Sequence, residues 1–162
     1  SLHFDIGNGT IEATYMKGLT PINSDGRRAG VGVAIEKAVK AYNKEMGMEI
    51  NRQVFVEILM SSTPAAKVAK QCLHDPLMEQ VLKIMEFVDD AFKELTNGMV
   101  DYIFVHGGGA IILRQWILDL MYEYAHSKHV RLVYMKKEYS PHLNSNGCFE
   151  LSKRKYGSKV GA

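Results

Sequence analysis

Residues 2–16 read LHFDIGNGTIEATYM, and this stretch predicts two β-strands joined by a glycine-rich turn. Apolar and polar side chains alternate over Leu2–Ile6 and again over Thr10–Met16, as in strands with one buried face. A Lys-Gly turn leads to a third short run, 19–22, whose proline cannot donate a hydrogen bond to a neighbouring strand. These residues therefore predict a β-meander with its third strand at a sheet edge.

The remaining chain predicts helices that alternate with two more strands. Most boundaries come from apolar spacing and from proline or glycine at element ends. Residues 50–60 are ambiguous between a helix and a strand, and we favour a helix. The predicted elements are, in order, a loop at 23–26, helix 29–46, helix 50–60, a helix from Pro64, a second helix start at Asp75-Pro76 leading into 77–95, strand 102–105 covered on both faces, helix 110–126, strand 130–133 and a final helix at 146–155. This order is typical of an α/β domain with a mixed sheet and helices on both faces.

The composition excludes several classes of protein. The 162 residues carry 20 basic and 18 acidic side chains, a net charge of +2, which argues against a dedicated nucleic-acid binder. Two cysteines are too few for a disulfide framework and fit a reducing cytoplasm. No apolar run approaches the ~20 residues that span a bilayer. We therefore expect one packed cytoplasmic domain over 1–156, a disordered tail over 157–162 and no membrane association.

The turn between the first two strands is the first candidate site. Gly7 and Gly9 leave backbone N–H groups open to phosphate oxygens because no Cβ covers them. Asp5 closes the first strand, where its carboxylate could hold Mg²⁺ through water, and Thr10 adds a hydroxyl group. The alternative is a plain type I′ hairpin, for which the Asn8-Gly9 dipeptide is the strongest short signal.

The second candidate site is the sequence Val-His-Gly-Gly-Gly-Ala at 105–110. Its three glycines, 107–109, fall where a buried strand leads into a helix, so a ligand could approach the backbone beside a helix N-terminus. The glycine spacing matches neither a Rossmann fingerprint nor a Walker P-loop. The alternative is a tight strand–helix turn, but such a turn rarely needs three glycines. We therefore favour a functional role for this corner.

Together the two loops resemble the second, C-terminal large domain of the actin-like ATPase superfamily, close to its plasmid-segregation, ParM-like type. Asp5–Thr10 is similar to the "phosphate 2" hairpin of that superfamily, Asp-[Ile/Leu]-Gly-x-[Gly/Thr]-Thr. Ile103–Ala110 is similar to its "adenosine" motif, an apolar strand running into Gly-Gly-Gly-Ala. Asn144–Leu151 resembles the start of the last helix of that domain. The resemblance covers nearly the whole chain.

The resemblance implies an RNase H-like, actin-type ATPase domain that forms one half of a two-domain protein, with ATP and Mg²⁺ in the cleft between the halves. Asp5 would face the hydration shell of Mg²⁺. Asn8 stands where the motif often has Gly or Asp, and its amide could orient a water but not act as a base. The β- and γ-phosphates would be lined by Gly7, Asn8, Gly9 and Thr10. Adenosine and the α-phosphate would be lined by Gly107, Gly108, Gly109 and Ala110. Helix 29–46 would lie by the ribose and the base.

The function that the resemblance implies is ATP-dependent self-association into filaments for plasmid DNA segregation. DNA would be reached through a DNA-binding adaptor protein, with no direct nucleic-acid binding. Because the first phosphate loop and the water-activating residue belong to the other domain, we expect this chain alone to be inactive as an ATPase. The alternatives are a small-molecule kinase or chaperone ATPase of the same superfamily, or a non-enzymatic binding or scaffolding domain.

Overall fold

The computed structural model of the chain describes residues 1–136. These residues form a five-stranded mixed sheet with the strand order β3-β2-β1-β4-β5, so the first strand lies at the centre. The strands are β1 Leu2–Ile6, β2 Ile11–Lys17, β3 Thr20–Arg27, β4 Tyr102–His106 and β5 Arg131–Tyr134. The helices are α1 Gly32–Met46, α2 Arg52–Leu59, α3 Pro64–Thr96 and α4 Gly108–Ser127. The predicted meander, crossover helices and mixed α/β class are confirmed.

The central strand β1 has a different partner on each side. It runs antiparallel to β2, which runs antiparallel to β3, as a meander requires. On its other side β1 is parallel to β4, and β4 is parallel to β5. Parallel neighbours need a crossover connection, which α1, α2 and α3 supply before β4 and α4 supplies before β5. The carboxyl ends of β1, β4 and β5 therefore lie at one edge of the sheet.

One face of the sheet carries the core. In β1 the side chains of Leu2, Phe4 and Ile6 are fully buried, and the Phe4 ring meets Phe87 of α3 edge-on, with centroids 6.3 Å apart. Burying a side chain of this kind contributes ~1.5–3 kcal/mol. Helix α3 packs on β1, β2 and β3, and α4 packs on β1, β4 and β5. Because α3 and α4 also contact each other, they cover this face together.

The opposite face is less covered within residues 1–136. There Tyr102 is exposed and Phe104 is half-buried, so β4 lacks the full cover on both faces that its apolar sequence predicts. Aromatic stacking covers part of it, with His3 parallel to Phe104 at a centroid distance of 4.6 Å. The final helix predicted at 146–155 and the tail over 157–162 lie outside the described residues.

The predicted second helix start at Asp75-Pro76 is wrong, because α3 is one continuous helix of 33 residues that contains Pro76. A proline inside a helix removes one hydrogen bond and costs ~3 kcal/mol. The buried stripe continues through this point, with Leu73 and Leu77 both fully buried on either side of Pro76. Apolar burial along α3 therefore outweighs the missing hydrogen bond.

The loop predicted at 23–26 is also wrong, because β3 continues through it to Arg27. All eight residues of β3 are exposed, so the strand has no buried face and its sequence shows no alternation to read. Polar side chains at Asn23 and Asp25 accept hydrogen bonds from the next backbone N–H group, at 2.9 and 2.8 Å. The predicted edge position of Pro21 is confirmed by the strand order.

Other predicted elements are confirmed with small changes at their ends. The ambiguous segment 50–60 contains α2, whose first turn is capped by Asn51 accepting the N–H of Val54 at 3.1 Å. Helix α1 ends at Gly47, which takes a left-handed conformation with φ +60°. None of the four helices within residues 1–136 combines the length and the apolar character needed to cross a bilayer.

The continuity of α3 generates a first prediction. Pro76→Ala restores a backbone donor inside the helix, so we expect the free energy of unfolding to rise by about 1–3 kcal/mol, measured by urea denaturation. Pro64→Ala is the matched control, because Pro64 occupies the first turn, where proline is favoured. We expect Pro64→Ala to be neutral or mildly destabilising. A loss of stability in Pro76→Ala would show that the proline instead begins a separate helix.

Candidate functional site

The structure brings the two predicted loops into direct contact at the centre of the sheet. In the parallel ladder Asp5 pairs with His106, so the loop after β1 and the corner after β4 leave the sheet side by side. The contact is close: a Cβ on Gly107 would lie 2.2 Å from Oδ1 of Asp5, and one on Gly109 would lie 2.5 Å from the carbonyl oxygen of Gly7. The corner can pack on β1 only because these positions are glycine.

The three glycines of the corner do not share one explanation. Gly107 has φ +99°, a conformation that side chains rarely adopt, and Gly109 packs against backbone carbonyls. Both are explained by packing alone. Gly108 is different, because a Cβ there would meet nothing within 4 Å, and the same is true of Gly9 in the other loop. Gly9 and Gly108 therefore expose their backbone to open space. Neither a close contact nor a left-handed backbone conformation requires glycine at these two positions.

The loop at 7–10 is not the plain type I′ hairpin that was the alternative prediction. That turn needs positive φ at both central residues, and neither Asn8 nor Gly9 has one. The loop is closed instead by the N–H of Gly7 donating to the carbonyl of Thr10 at 2.9 Å. Asn8, Gly9 and Thr10 are exposed, so the loop presents its tip to solvent.

A third element that sequence reasoning missed holds this loop from the other side. The N–H of Gly32 donates to the carbonyl of Asn8 at 2.7 Å, and the N–H of Gly30 donates to the carbonyl of Gly9 at 3.2 Å. A Cβ on Gly30 would lie 2.3 Å from the Asn8 carbonyl oxygen, and one on Gly32 would lie 2.9 Å from the Asn8 Oδ1. In the sequence this element shows only as the Gly-Val-Gly triplet at 30–32, where α1 begins, and the triplet does not reveal which loop it contacts.

The helix predicted over 29–46 begins at Gly32, and the N–H of Ile35 donates to the carbonyl of Val31 at 3.1 Å in its first turn. Val31 also donates its own N–H to the loop, to the carbonyl of Gly7 at 3.3 Å. The N–H groups at the start of α1 therefore bond to the loop, whereas those at the start of α4 do not. Within the described residues, the first N–H groups of α4, from Gly108 to Ala110, have no hydrogen-bond acceptor.

Asp5 lies beneath the junction of the two loops. Its side chain is 26% exposed, and its Oδ1 lies 3.8 Å from Nδ1 of the buried His106. Burial lowers the pKa of His106, and the Asp5 carboxylate opposes that shift. Burial, followed by the neighbouring His106, lowers the pKa of His3 to about 4. Both imidazoles are therefore neutral at pH 7, so His106 contributes no cation beside the carboxylate.

The donor set limits what kind of metal site Asp5 could support. No group of three or more His, Cys, Asp or Glu side chains within the described part of the chain is placed to hold a metal ion. A single carboxylate suits a contact through water better than a direct site, since Mg²⁺ keeps much of its hydration shell. The residues present therefore fit the water-mediated contact that the resemblance implies for Asp5.

A groove of about 370 Å³ lies between residues 111–118 of α4 and the end of α2. Its lining includes Ile112 and Trp116 of α4, and the cations Lys70 and Arg114 from α3 and α4. Trp116 is half-buried at the side of this groove. No residue of α1 lines the groove in the part of the chain that the structure describes.

Three solved structures share this arrangement of strands and helices. The archaeal actin homologue Ta0583 superposes with a TM-score of 0.68 at 21% identity, over 94% of this chain and 48% of its own. A second structure of Ta0583 is a complex with ADP. The MamK double helical filament gives a TM-score of 0.64 at 15% identity, over 94% of this chain and 54% of that chain. The chain has an actin-like fold.

A Bacillus thuringiensis ParM hybrid protein with ADP matches at a TM-score of 0.61 and 19% identity, over 95% of this chain and 24% of that chain. No protein-family model and no curated protein matches the sequence. The chain spans about half the length of the Ta0583 and MamK chains. The actin-like fold is thus established by structure at identities too low to carry a particular activity.

The two kinds of corner glycine generate a second prediction. Gly109→Ala forces a Cβ to within 2.5 Å of a backbone carbonyl oxygen, so we expect it to lower the free energy of unfolding by about 1–3 kcal/mol. Gly108→Ala enters open space at a helix start, and we expect it to be neutral or slightly stabilising. Thermal and urea denaturation of the two variants compare them directly. Equal losses would contradict the contacts between the corner and β1.

Proposed function

We propose that this chain is the C-terminal, nucleotide-binding half of a ParM-like, actin-family ATPase. One observation carries the proposal: the loop at 7–10 and the corner at 107–110 meet on one wall, and each exposes a glycine, Gly9 or Gly108, that packing does not explain. Backbone without Cβ atoms beside a helix N-terminus is suited to phosphate binding. The actin-like fold and the ADP bound in the Ta0583 and ParM structures support a nucleotide as the ligand.

The proposed contacts follow the position of each group on the wall. The N–H groups of Gly108, Gly109 and Ala110 open α4 and face the adenosine and α-phosphate. The loop formed by Gly7, Asn8, Gly9 and Thr10 faces the β- and γ-phosphates. Asp5 lies behind both and would orient water bound to Mg²⁺. When bound, Mg²⁺ would neutralise charge on the phosphate oxygens.

The groove beside α4 offers room for the remainder of the nucleotide. Its lining includes Ile111, the residue that follows the corner in sequence, and the ring of Trp116 and the side chain of Ile112 provide apolar surface for a planar base. Lys70 and Arg114 add positive charge beside it. These side chains belong to α3 and α4, so this proposal places the base beside these helices, whereas the resemblance places it by α1. Helix α1 instead supports the phosphate loop.

Asn8 supports binding rather than proton transfer. Its carbonyl accepts the N–H of Gly32, and its amide cannot serve as a general base at neutral pH. The proposed base and the first phosphate loop would come from the other half of the protein. This chain alone should therefore bind Mg-ATP and hydrolyse it hardly at all.

Filament formation is the proposed use of this binding. A triphosphate held between two domains biases them toward closure and can couple that closure to contacts between subunits. The MamK structure is itself a filament, which supports self-association for this fold. The net charge of +2 supports a role in plasmid DNA segregation in which DNA is reached through an adaptor protein.

The third prediction tests nucleotide binding by the chain itself. We expect Mg-ATP to raise the melting temperature of the 162-residue chain, because a ligand that binds only the folded state stabilises it. Asp5→Asn should remove the additional rise in melting temperature that Mg²⁺ gives, while the rise with ATP in the absence of Mg²⁺ should stay unchanged. Asp101→Asn is the control, since Asp101 is exposed and precedes β4, at the opposite end of that strand from the glycine corner. No shift with any nucleotide would favour the non-enzymatic scaffolding alternative.

The fourth prediction tests filament formation in a protein that joins this chain to its proposed first domain. Mg-ATP should raise light scattering strongly, because only long polymers scatter in this way. Gly108→Ala should reduce the rise, since its Cβ enters the space proposed for the nucleotide while folding is unaffected. ATP hydrolysis without any rise in scattering would support the small-molecule kinase or chaperone alternative.

A further inference from the structure

The side chain of Tyr134 reaches from the sheet edge to the glycine corner. Tyr134 ends β5 and pairs with Val105 of β4, so it lies one strand away from the corner. Its hydroxyl donates a hydrogen bond of 2.6 Å to the carbonyl oxygen of Ala110. This bond links β5 to the first turn of α4 across 24 residues of sequence.

The position of this bond matters because of the peptide that it holds. The carbonyl of Ala110 and the N–H of Ile111 belong to one peptide unit, and that N–H donates to the carbonyl of Gly107 at 3.4 Å. This long bond closes the first turn of α4 around the three glycines. Consecutive glycines have high backbone freedom, so a restraint from outside the helix has a large effect on the orientation of their N–H groups.

The Tyr134 ring is itself held in place. The guanidinium of Arg114, one helical turn after Ala110, lies 4.9 Å from the ring centroid, within the range of cation–π contacts. Burial raises the pKa of the Tyr134 hydroxyl, and the opposing influence of Arg114 is smaller. The hydroxyl therefore stays protonated and available as a donor at physiological pH.

We infer that Tyr134 is a positioning residue of the nucleotide site: by holding the Ala110 carbonyl it orients the N–H groups of Gly108, Gly109 and Ala110 toward the ligand. This inference rests on the proposed function, since it assigns a role within that same site. Tyr134 does not touch the proposed ligand and acts through the peptide between Ala110 and Ile111.

Tyr134→Phe tests the inference by removing one oxygen while keeping the ring beside Arg114. Tyr124→Phe is the matched control, because the Tyr124 hydroxyl also donates one hydrogen bond, of 3.1 Å to Oδ1 of Asp89, away from the corner. We expect Tyr134→Phe to weaken Mg-ADP affinity about three- to tenfold, as the loss of one neutral hydrogen bond permits. Tyr124→Phe should leave that affinity within about twofold of wild type. Binding is measured by titration calorimetry, and melting temperatures verify that both variants fold.

Hydrogen exchange without nucleotide separates this inference from the proposed function. We expect the amides of residues 108–111 to exchange faster in Tyr134→Phe than in wild type, and Tyr124→Phe to leave them unchanged. If wild type binds Mg-ADP and the two variants match it in affinity and exchange, the positioning role is overturned while nucleotide binding stands. If wild type binds no nucleotide, the proposed function and this role fail together, whatever the exchange shows.

Discussion

The parallel pairing of β1 with β4 is the constraint on which the site depends. Because Asp5 pairs with His106, two chain turns lie side by side, one from β1 into β2 and one from β4 into α4. The loop at 7–10 and the corner at 107–110 are therefore in close contact. Glycine at 107 and 109 makes this contact possible, since a Cβ at either position would overlap β1 or the loop that follows it.

Helices and strands are best predicted from the sequence where burial of one face makes apolar residues recur at a regular spacing. The alternation in β1 and the apolar stripe of α3 both follow from packing on one core, and both were predictable. β3 has no buried face, so residues 23–26 look like a loop although they continue the ladder. Pro76 is a strong local signal for a helix start, and it misleads because long-range packing of α3 decides the outcome.

The same distinction applies to the site. Both glycine loops are visible in the sequence as local departures from regular structure, and their meeting follows once β1 and β4 are neighbours in a parallel sheet. The roles of Gly30 and Gly32 were not predictable, because they depend on where α1 returns to the sheet and which carbonyls of the loop it meets. Tyr134 was hidden for a similar reason, since its hydroxyl contacts a backbone oxygen 24 positions away.

The loop at 7–10 and the corner at 107–110 form a wall made chiefly of backbone, and its rigidity determines how the proposed protein would respond to its nucleotide. The loop at 7–10 is held by three backbone hydrogen bonds from residues 30–32, at and just before the start of α1. The corner is held by close packing on β1 and by Tyr134. Neither loop can shift without breaking contacts on two sides, because packed interiors do not deform continuously. Loss of a γ-phosphate would therefore change little within this wall. Under the proposed function the response must come from the relative position of the two halves, which is the change that a filament contact can detect.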